Sequence, residues 1–201
     1  MFDQAFWEER YSSAPAIWSK NPNPQLVTEV SELTPGTALD VGCGEGADAR
    51  WLASRGWRVT GVDISPTALK RAAEIEPAVE WVHADLLGAW PFGGRAFDLV
   101  SAQFMHPPAE DRAVLFGRLA TAVAPGGTLL IVGHHPLDLE MGVPRPPMPE
   151  LFYTAEDLAA ALAPGEWSQM VTDTRPRQAT YDGQEYTIHD AVLVARRAQA
   201  R

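Results

Sequence analysis

A glycine cluster set directly between an apolar strand pattern and a helical pattern constrains this chain more than any other feature. The stretch is Ala38-Leu39-Asp40-Val41-Gly42-Cys43-Gly44-Glu45-Gly46-Ala47-Asp48-Ala49-Arg50. An apolar run that ends beside an acid meets three glycines, and helical spacing follows at once, so the segment reads as strand, tight turn, helix. A backbone that turns this sharply calls for φ > 0, which glycine adopts freely, and glycine also lets main chain approach a ligand with no Cβ in the way. The N–H groups around Gly42 and Gly44 are therefore expected to serve the anionic end of a ligand, a carboxylate or a phosphate.

The segments on either side build a frame for that turn. Phe2, Phe6, Trp7 and Tyr11 predict a short N-terminal helix, and Pro15, Pro22 and Pro24 predict a loop with Trp18 in its middle. Gln25 to Leu33 reads as a helix ended by Thr34-Pro35-Gly36. After the turn, a helix over Ala47–Ser54 stops at Gly56, and strands are expected at Trp57–Asp63, Val79–Ala84, Phe97–Ala102 and Thr128–Gly133. Ser65-Pro66 starts a helix as N-cap and first-turn proline, and Val114, Leu115, Leu119 and Val123 mark the apolar face of another. Alternating strands and helices of this kind imply a parallel sheet with helices on both faces and a ligand at the carboxyl edge of the strands. Asp40, Asp63, Asp85 and Gln103 all fall at that edge.

The last third changes character. Residues 134–150 hold His134, His135 and four prolines and read as a lid or substrate wall, with Arg145 as a solvated charge. Thr154-Ala155-Glu156-Asp157 resembles a capping box for a helix to about Leu162. Strands over Gln169–Arg175 and Thr187–Arg196 then close the sheet as an antiparallel hairpin around Tyr181-Asp182-Gly183-Gln184. The expected fold is thus α/β, Rossmann-like and doubly wound, a mostly parallel seven-stranded sheet with a C-terminal antiparallel hairpin. It divides into a cap segment (1–36), a cofactor-binding core (37–133) and a lid loop, helix and closing strands (134–201) of one domain.

Charge and cysteine content narrow the partners. A net charge of −10 lacks the basic patches that nucleic acid or an anionic membrane demands, so neither is an expected partner. No stretch approaches the about 18 consecutive apolar residues of a membrane span. The single cysteine, Cys43, allows no intrachain disulfide and reads as a small buried side chain in a cytoplasmic protein. No pattern assigns an oligomeric state, and no histidine–carboxylate spacing suggests a metal site.

Two cofactors fit the glycine turn at this level. Gly42-x-Gly44-x-x-Ala47 with Asp63 satisfies the dinucleotide fingerprint, which keeps an NAD(P)-dependent oxidoreductase open. Asp40, however, lies two residues before the first glycine, where a pyrophosphate's charge is unwelcome. With Asp40-Val41-Gly42-Cys43-Gly44-Glu45-Gly46, Val62-Asp63-Ile64-Ser65, Ala84-Asp85-Leu86, Phe97-Asp98-Leu99-Val100 and Pro125-Gly126-Gly127 in this order, the chain resembles the class I S-adenosylmethionine-dependent methyltransferases. Within them it is similar to the small-molecule branch of tellurite-resistance and thiopurine-type enzymes.

The resemblance implies S-adenosylmethionine as cofactor and a small-molecule acceptor such as a thiol, a phenol or hydroxyl, or a chalcogen anion. It implies that Asp40 receives the cofactor's ammonium and that Gly42, Cys43 and Gly44 pass beneath it. Asp63 would take the ribose hydroxyls, Ile64 would pack on the adenine, and Asp85 with Leu86 would meet its ring nitrogens. Gln103 would lie near the methionine portion, and Tyr11 or Trp18 would fold over the whole. His106, after the fourth strand, and His135, after the fifth, are the candidate catalytic bases. A protein that binds the cofactor without catalysis is the third reading.

Overall fold

The structure, a computed structural model, describes residues 3–200, so Phe2 lies outside the described residues. Asp3 caps the first helix, α1 (Gln4–Ser12), by accepting from the Phe6 amide at 2.9 Å. Then follow α2 (Pro24–Val30), β1 (Thr37–Val41), α3 (Ala47–Ser54), β2 (Arg58–Asp63), α4 (Pro66–Ile75), β3 (Glu80–His83) and β4 (Phe97–Gln103). The chain continues through α5 (Ala109–Thr121), β5 (Val123–His134), α6 (Leu137–Glu140), a 3-10 turn (Pro149–Leu151), α7 (Ala155–Ala160), β6 (Trp167–Tyr181) and β7 (Gln184–Arg197).

The seven strands form one sheet in the order β3-β2-β1-β4-β5-β7-β6, with β7 antiparallel to both neighbours and all other pairings parallel. Strand order reverses between β1 and β4, so the crevice at the sheet's carboxyl edge opens there, beside the glycine turn. One face packs on α2 and α3 through Leu26, Ala38, Ala49, Leu52, Leu99, Leu130 and Val132. The other packs on α5 and α7 through Leu39, Val41, Leu115, Phe116, Leu129, Ile131 and Leu158. Alternation along each strand settles which face a polar residue joins: Asp40 follows Ala38, Gln103 follows Leu99, and His134 follows Val132, all toward α2.

Four expectations need correction. Val123 belongs to β5, because α5 has already ended at Thr121, and Val114 points to solvent while Phe116 takes the buried place. α2 ends at Val30, where Ser31 turns its hydroxyl back onto the Val27 carbonyl at 2.6 Å. β6 runs past Arg175 to Tyr181, because it is the edge strand and Pro176 there forfeits no ladder bond to an outer neighbour. α7 stops at Ala160, although its capping box forms as expected, with Asp157 N–H donating to Thr154 at 3.1 Å and Thr154 N–H to Asp157 at 2.9 Å.

Glycines at two positions make room for one aromatic ring. A Cβ on Gly61 or on Gly46 would stand 2.6 Å from the Trp81 indole, which fills the space between β2 and the turn and donates to the Glu76 carbonyl at 3.0 Å. Gly61→Ala is accordingly expected to cost about 1–3 kcal/mol through displacement of that ring. In urea denaturation the midpoint should fall at unchanged slope; an unaltered midpoint would show that Trp81 has room to spare.

Candidate active site

The glycine turn is held from inside. The Gly42 and Cys43 amides both donate to the Val62 carbonyl, at 2.9 and 3.1 Å, and the Gly46 amide donates to Cys43 at 2.9 Å. The Gly44 amide donates to Asp63 Oδ2 at 2.8 Å, and the Ser65 amide to Asp63 Oδ1 at 2.9 Å. The expected anion cradle of free amides at Gly42 and Gly44 is therefore corrected, since those donors are spent on β2. The turn itself runs at φ of 65°, 51° and 81° for Gly42, Gly44 and Gly46, with the Met105, Tyr11 and Trp81 side chains lying where their Cβ atoms would be. Asp63 is buried, and burial raises its carboxyl above the ordinary range against the lowering effect of its amide bonds. Each of its oxygens retains a lone pair for a hydroxyl donor.

The N-terminal segment closes over this turn. Tyr11 is buried, and its hydroxyl, accepting from Trp18 Nε1 at 2.9 Å, stands 2.8 Å from where a Gly44 Cβ would be. Burial, then the nearby Asp63 charge, raises the Tyr11 pKa. Trp18 is 48% exposed with Arg10 5.1 Å above its ring, so it lies over the turn rather than in the core. Three charged residues fasten the segment. Glu45 accepts from the Ile17 and Trp18 amides and pairs with Arg71 at 2.9 Å, while Arg71 donates to the Tyr11 and Ala14 carbonyls. Glu8 of α1 bonds Ser65 and Thr67 at the start of α4.

At the other end of the crevice lies a cluster that the sequence reading only half assembled. His106 Nδ1 donates to the Leu151 carbonyl at 2.8 Å, which leaves Nε2 as a buried lone pair with no partner. Its ring stacks on His134 at 4.8 Å, and Phe104, Phe152 and Tyr153 complete the walls. Phe104 directly follows β4 at φ 56°, a left-handed conformation that costs a non-glycine residue about 1–3 kcal/mol. Burial lowers the pKa of His106 to about 4 and that of His134 to about 2. His135 stands apart: its Nδ1 accepts from the Leu137 amide at 3.1 Å and opens α6. The neighbour of His106 is therefore His134, because strand alternation carries residue 134 inward with Val132. Arg145 is also corrected from a solvated charge. Its side chain is 7% exposed, pairs with Asp138 at 2.7 Å and donates to Tyr181 and His134.

The remaining expected residues divide. Asp40 is buried on the α2/α3 face, its pKa raised by burial and then by Asp48, and its Oδ2 has no partner. Gln103 is buried with Nε2 on Ser101 Oγ at 3.0 Å and Oε1 unpartnered. Cys43 is buried with its sulfur toward Gly61, and burial raises its thiol pKa. Ile64 is half-buried, Leu86 is buried, and Asp85 is exposed, folded onto the Leu87 amide at 2.9 Å. Among the described residues, no group of three or more His, Cys, Asp or Glu side chains is placed to hold a metal ion, and no helix is long and apolar enough to cross a membrane.

A family model described as a methyltransferase domain matches residues 38–127. The trans-aconitate 2-methyltransferase of Paracidovorax citrulli is 38% identical over 112 residues, covering 55% of this chain and 43% of the relative. The chain thus spans less than half that relative's length. The N-methyltransferase NodS of Bradyrhizobium japonicum WM9, solved with S-adenosylhomocysteine, superposes with a TM-score of 0.71 at 19% identity, covering 97% and 98% of the two chains. A structure described as "Conversion of a Disulfide Bond into a Thioacetal Group during Echinomycin Biosynthesis" gives 0.76 at 25% identity, covering 98% and 93%. Residues 38–127 thus match the methyltransferase-domain family, and the fold of nearly the whole chain is that of a solved methyltransferase.

The side chains present fit S-adenosylmethionine, the cofactor that the resemblance implies. The unpartnered acceptors Asp40 Oδ2 and Gln103 Oε1 suit an ammonium, and Asp63 suits two ribose hydroxyls. The matched residues 38–127 include the glycine turn, but the cap at Tyr11 and Trp18 and the histidine at 134 lie outside that match.

The two depressed histidines also set an acid limit on stability. The unfolded chain binds their protons below about pH 6.5, whereas the folded chain resists them down to about 4 for His106 and about 2 for His134. The unfolded state therefore holds more protons in that window, and folding stability falls as pH falls through it. Each unit of gap corresponds to about 1.4 kcal/mol per group. His134→Phe should flatten this decline in a series of urea titrations from pH 7 to 5, and an equally steep decline in the variant would locate the acid sensitivity elsewhere.

Proposed function

We propose that the protein transfers a methyl group from S-adenosylmethionine to a small molecule, with His106 receiving the proton that the acceptor gives up. The observation that carries this reading lies along the carboxyl edge of the sheet. At one end Asp63 fixes the glycine turn, and at the other a buried imidazole nitrogen faces inward with nothing bonded to it. The names of the relatives, which include a trans-aconitate methyltransferase and a 2-methyl-6-phytyl-1,4-hydroquinone methyltransferase, support a small acceptor.

When bound, the cofactor supplies an electrophilic methyl on a cationic sulfur, whose departing thioether needs no acid. The chain's own residues then have three tasks. Asp40, Gln103, Asp63, Ile64 and the glycine turn hold the cofactor, with Asp85 and Leu86 at the far end. Tyr11 and Trp18, fastened through Glu45 and Arg71, exclude water from above. His106, held by the Leu151 carbonyl in the tautomer that leaves Nε2 as acceptor, takes the hydrogen bond of the acceptor's O–H or S–H. It takes that proton as the new bond to carbon makes it strongly acidic, so a base whose pKa is about 4 suffices. His135, committed to the start of α6, is left out of this step.

Calorimetric titration with S-adenosylhomocysteine, run beside NAD(H), tests the cofactor half. Saturable binding of the first alone is expected, weakened at least about tenfold in Asp63→Ala by loss of a charged hydrogen-bond acceptor. Preferential binding of NAD(H) would sink the reading. For the catalytic half, His106→Ala should lower kcat about 10²–10⁴-fold with S-adenosylhomocysteine affinity unchanged. In the wild type, kcat/KM should show no ascending limb near pH 6.5, since His106 is already deprotonated well below that pH. A limb at about 6.5 would transfer the role to an ordinary, solvated histidine.

A further inference from the structure

Four buried polar atoms without a partner lie on one face of the sheet, one on each of four adjacent strands. They are Asp40 Oδ2 on β1, Gln103 Oε1 on β4, His134 Nδ1 on β5 and Asp190 Oδ1 on β7. The face is shared because Asp40 alternates with Ala38, Gln103 with Leu99, His134 with Val132 and Asp190 with Val192, all of which pack toward α2 and α3. At about 4.8 Å per strand, the row spans about 14 Å across the sheet. Its first two members belong to the cofactor end described above. The last two have no part in that reading.

His134 and Asp190 are direct cross-strand partners in the β5–β7 register. Side chains at such paired positions stand about 4.5–5.5 Å apart at Cβ, close enough to serve one ligand group together. Their hydrogen-bonding roles are fixed by what they already touch. Arg145 can only donate, and its Nη1 lies 3.3 Å from His134 Nε2, so Nε2 carries the lone pair and Nδ1 of the neutral ring carries the hydrogen. Asp190 is 0% exposed; its Oδ2 accepts from Arg177 Nε at 2.8 Å and from Gln25 Nε2 at 3.1 Å, while Oδ1 accepts from nothing. The pair therefore presents one buried donor beside one buried acceptor. The positive charges nearby are already matched, Arg177 by Asp190, Arg145 by Asp138 and Arg175 by Glu29 and Asp173. An anionic ligand group would find no free cation among these and would face the unpartnered carboxylate oxygen.

We propose that His134 Nδ1–H and Asp190 Oδ1 form a subsite for a neutral hydroxyl of the methyl acceptor, so that the acceptor is a small dihydroxy compound rather than a carboxylate. A hydroxyl is the simple group that accepts from the first and donates to the second at once. The ring stack of His134 on His106 places this subsite next to the nitrogen that takes the acceptor's proton, so one hydroxyl is gripped while its neighbour reacts. Gln25 of α2 and Phe104 close the site, the first bonded to Asp190 and the second stacked 4.7 Å from His134.

The proposal rests on the methyltransferase reading, and the test keeps the two apart. Wild type loaded with S-adenosylhomocysteine is titrated with catechol, hydroquinone, phenol and trans-aconitate, and the series is repeated with Asp190→Asn and His134→Phe, the second retaining a stacking ring. Catechol or hydroquinone is expected to bind about tenfold or more tightly than phenol, with trans-aconitate weaker still. Either variant should bring the dihydroxy and monohydroxy probes within about threefold of each other while leaving S-adenosylhomocysteine affinity unchanged. Equal affinity for catechol and phenol, no binding of either, or preference for trans-aconitate overturns the hydroxyl subsite and leaves the two atoms to ordered water. Failure of the wild type to bind S-adenosylhomocysteine strikes the methyltransferase reading itself and takes this subsite with it.

Discussion

The carboxylate of Asp63 is the interaction on which the rest of the site depends. It sits at the end of β2 and accepts from the Gly44 amide on one oxygen and the Ser65 amide on the other, so the glycine turn and the start of α4 share a single buried acceptor. Ser65 then caps α4 through the Ala68 amide at 3.1 Å and also meets Glu8, which docks α1. The cap that covers the turn thus hangs from the residue that shapes the turn. Burying a carboxylate this deeply is costly unless its oxygens are hydrogen-bonded, and two main-chain donors meet that cost while leaving lone pairs for a ligand.

The two ends of the crevice solve opposite electrostatic problems. Around the glycine turn, burial raises the pKa values of Asp40, Asp48 and Asp63, with the neighbouring Asp48 adding to the rise at Asp40, and three buried carboxyls favour a cationic ligand. Around His106 and His134, burial and the neighbouring Arg145 push imidazoles to the neutral side, so this end offers donors and lone pairs rather than charge. A positively charged cofactor and an uncharged acceptor suit that division.

Much of the first end was legible in the sequence, because it is built from contiguous segments. Strand, turn and helix around Gly42–Gly46, the acid closing β2 and the Ser65-Pro66 helix start are all local patterns, and each stands where the spacing predicts. The destination of the turn's amides was not legible. Gly42 and Cys43 spend theirs on Val62, a pairing that exists only once β1 and β2 lie side by side. The second end was legible in its histidines but not in their partners. His134, Asp190 and Gln25 are 165 residues apart at their extremes and meet only through the β5–β7 register and the packing of α2 on the sheet. Alternation along β5 was the available signal that residue 134, rather than 135, turns inward. Arg145 looked solvated because its charge partner, Asp138, is hidden in a four-residue helix that the proline-rich composition conceals.

The most direct test of this account is a crystal structure of the protein with S-adenosylhomocysteine. Asp63 should keep its bonds to the Gly44 and Ser65 amides while accepting the ribose hydroxyls, and the Met105 and Tyr11 side chains, which now crowd Gly42 and Gly44, should give way. Ligand density placed away from the β1–β4 crevice, or an Asp63 that abandons those amides to reach the ligand, would contradict it.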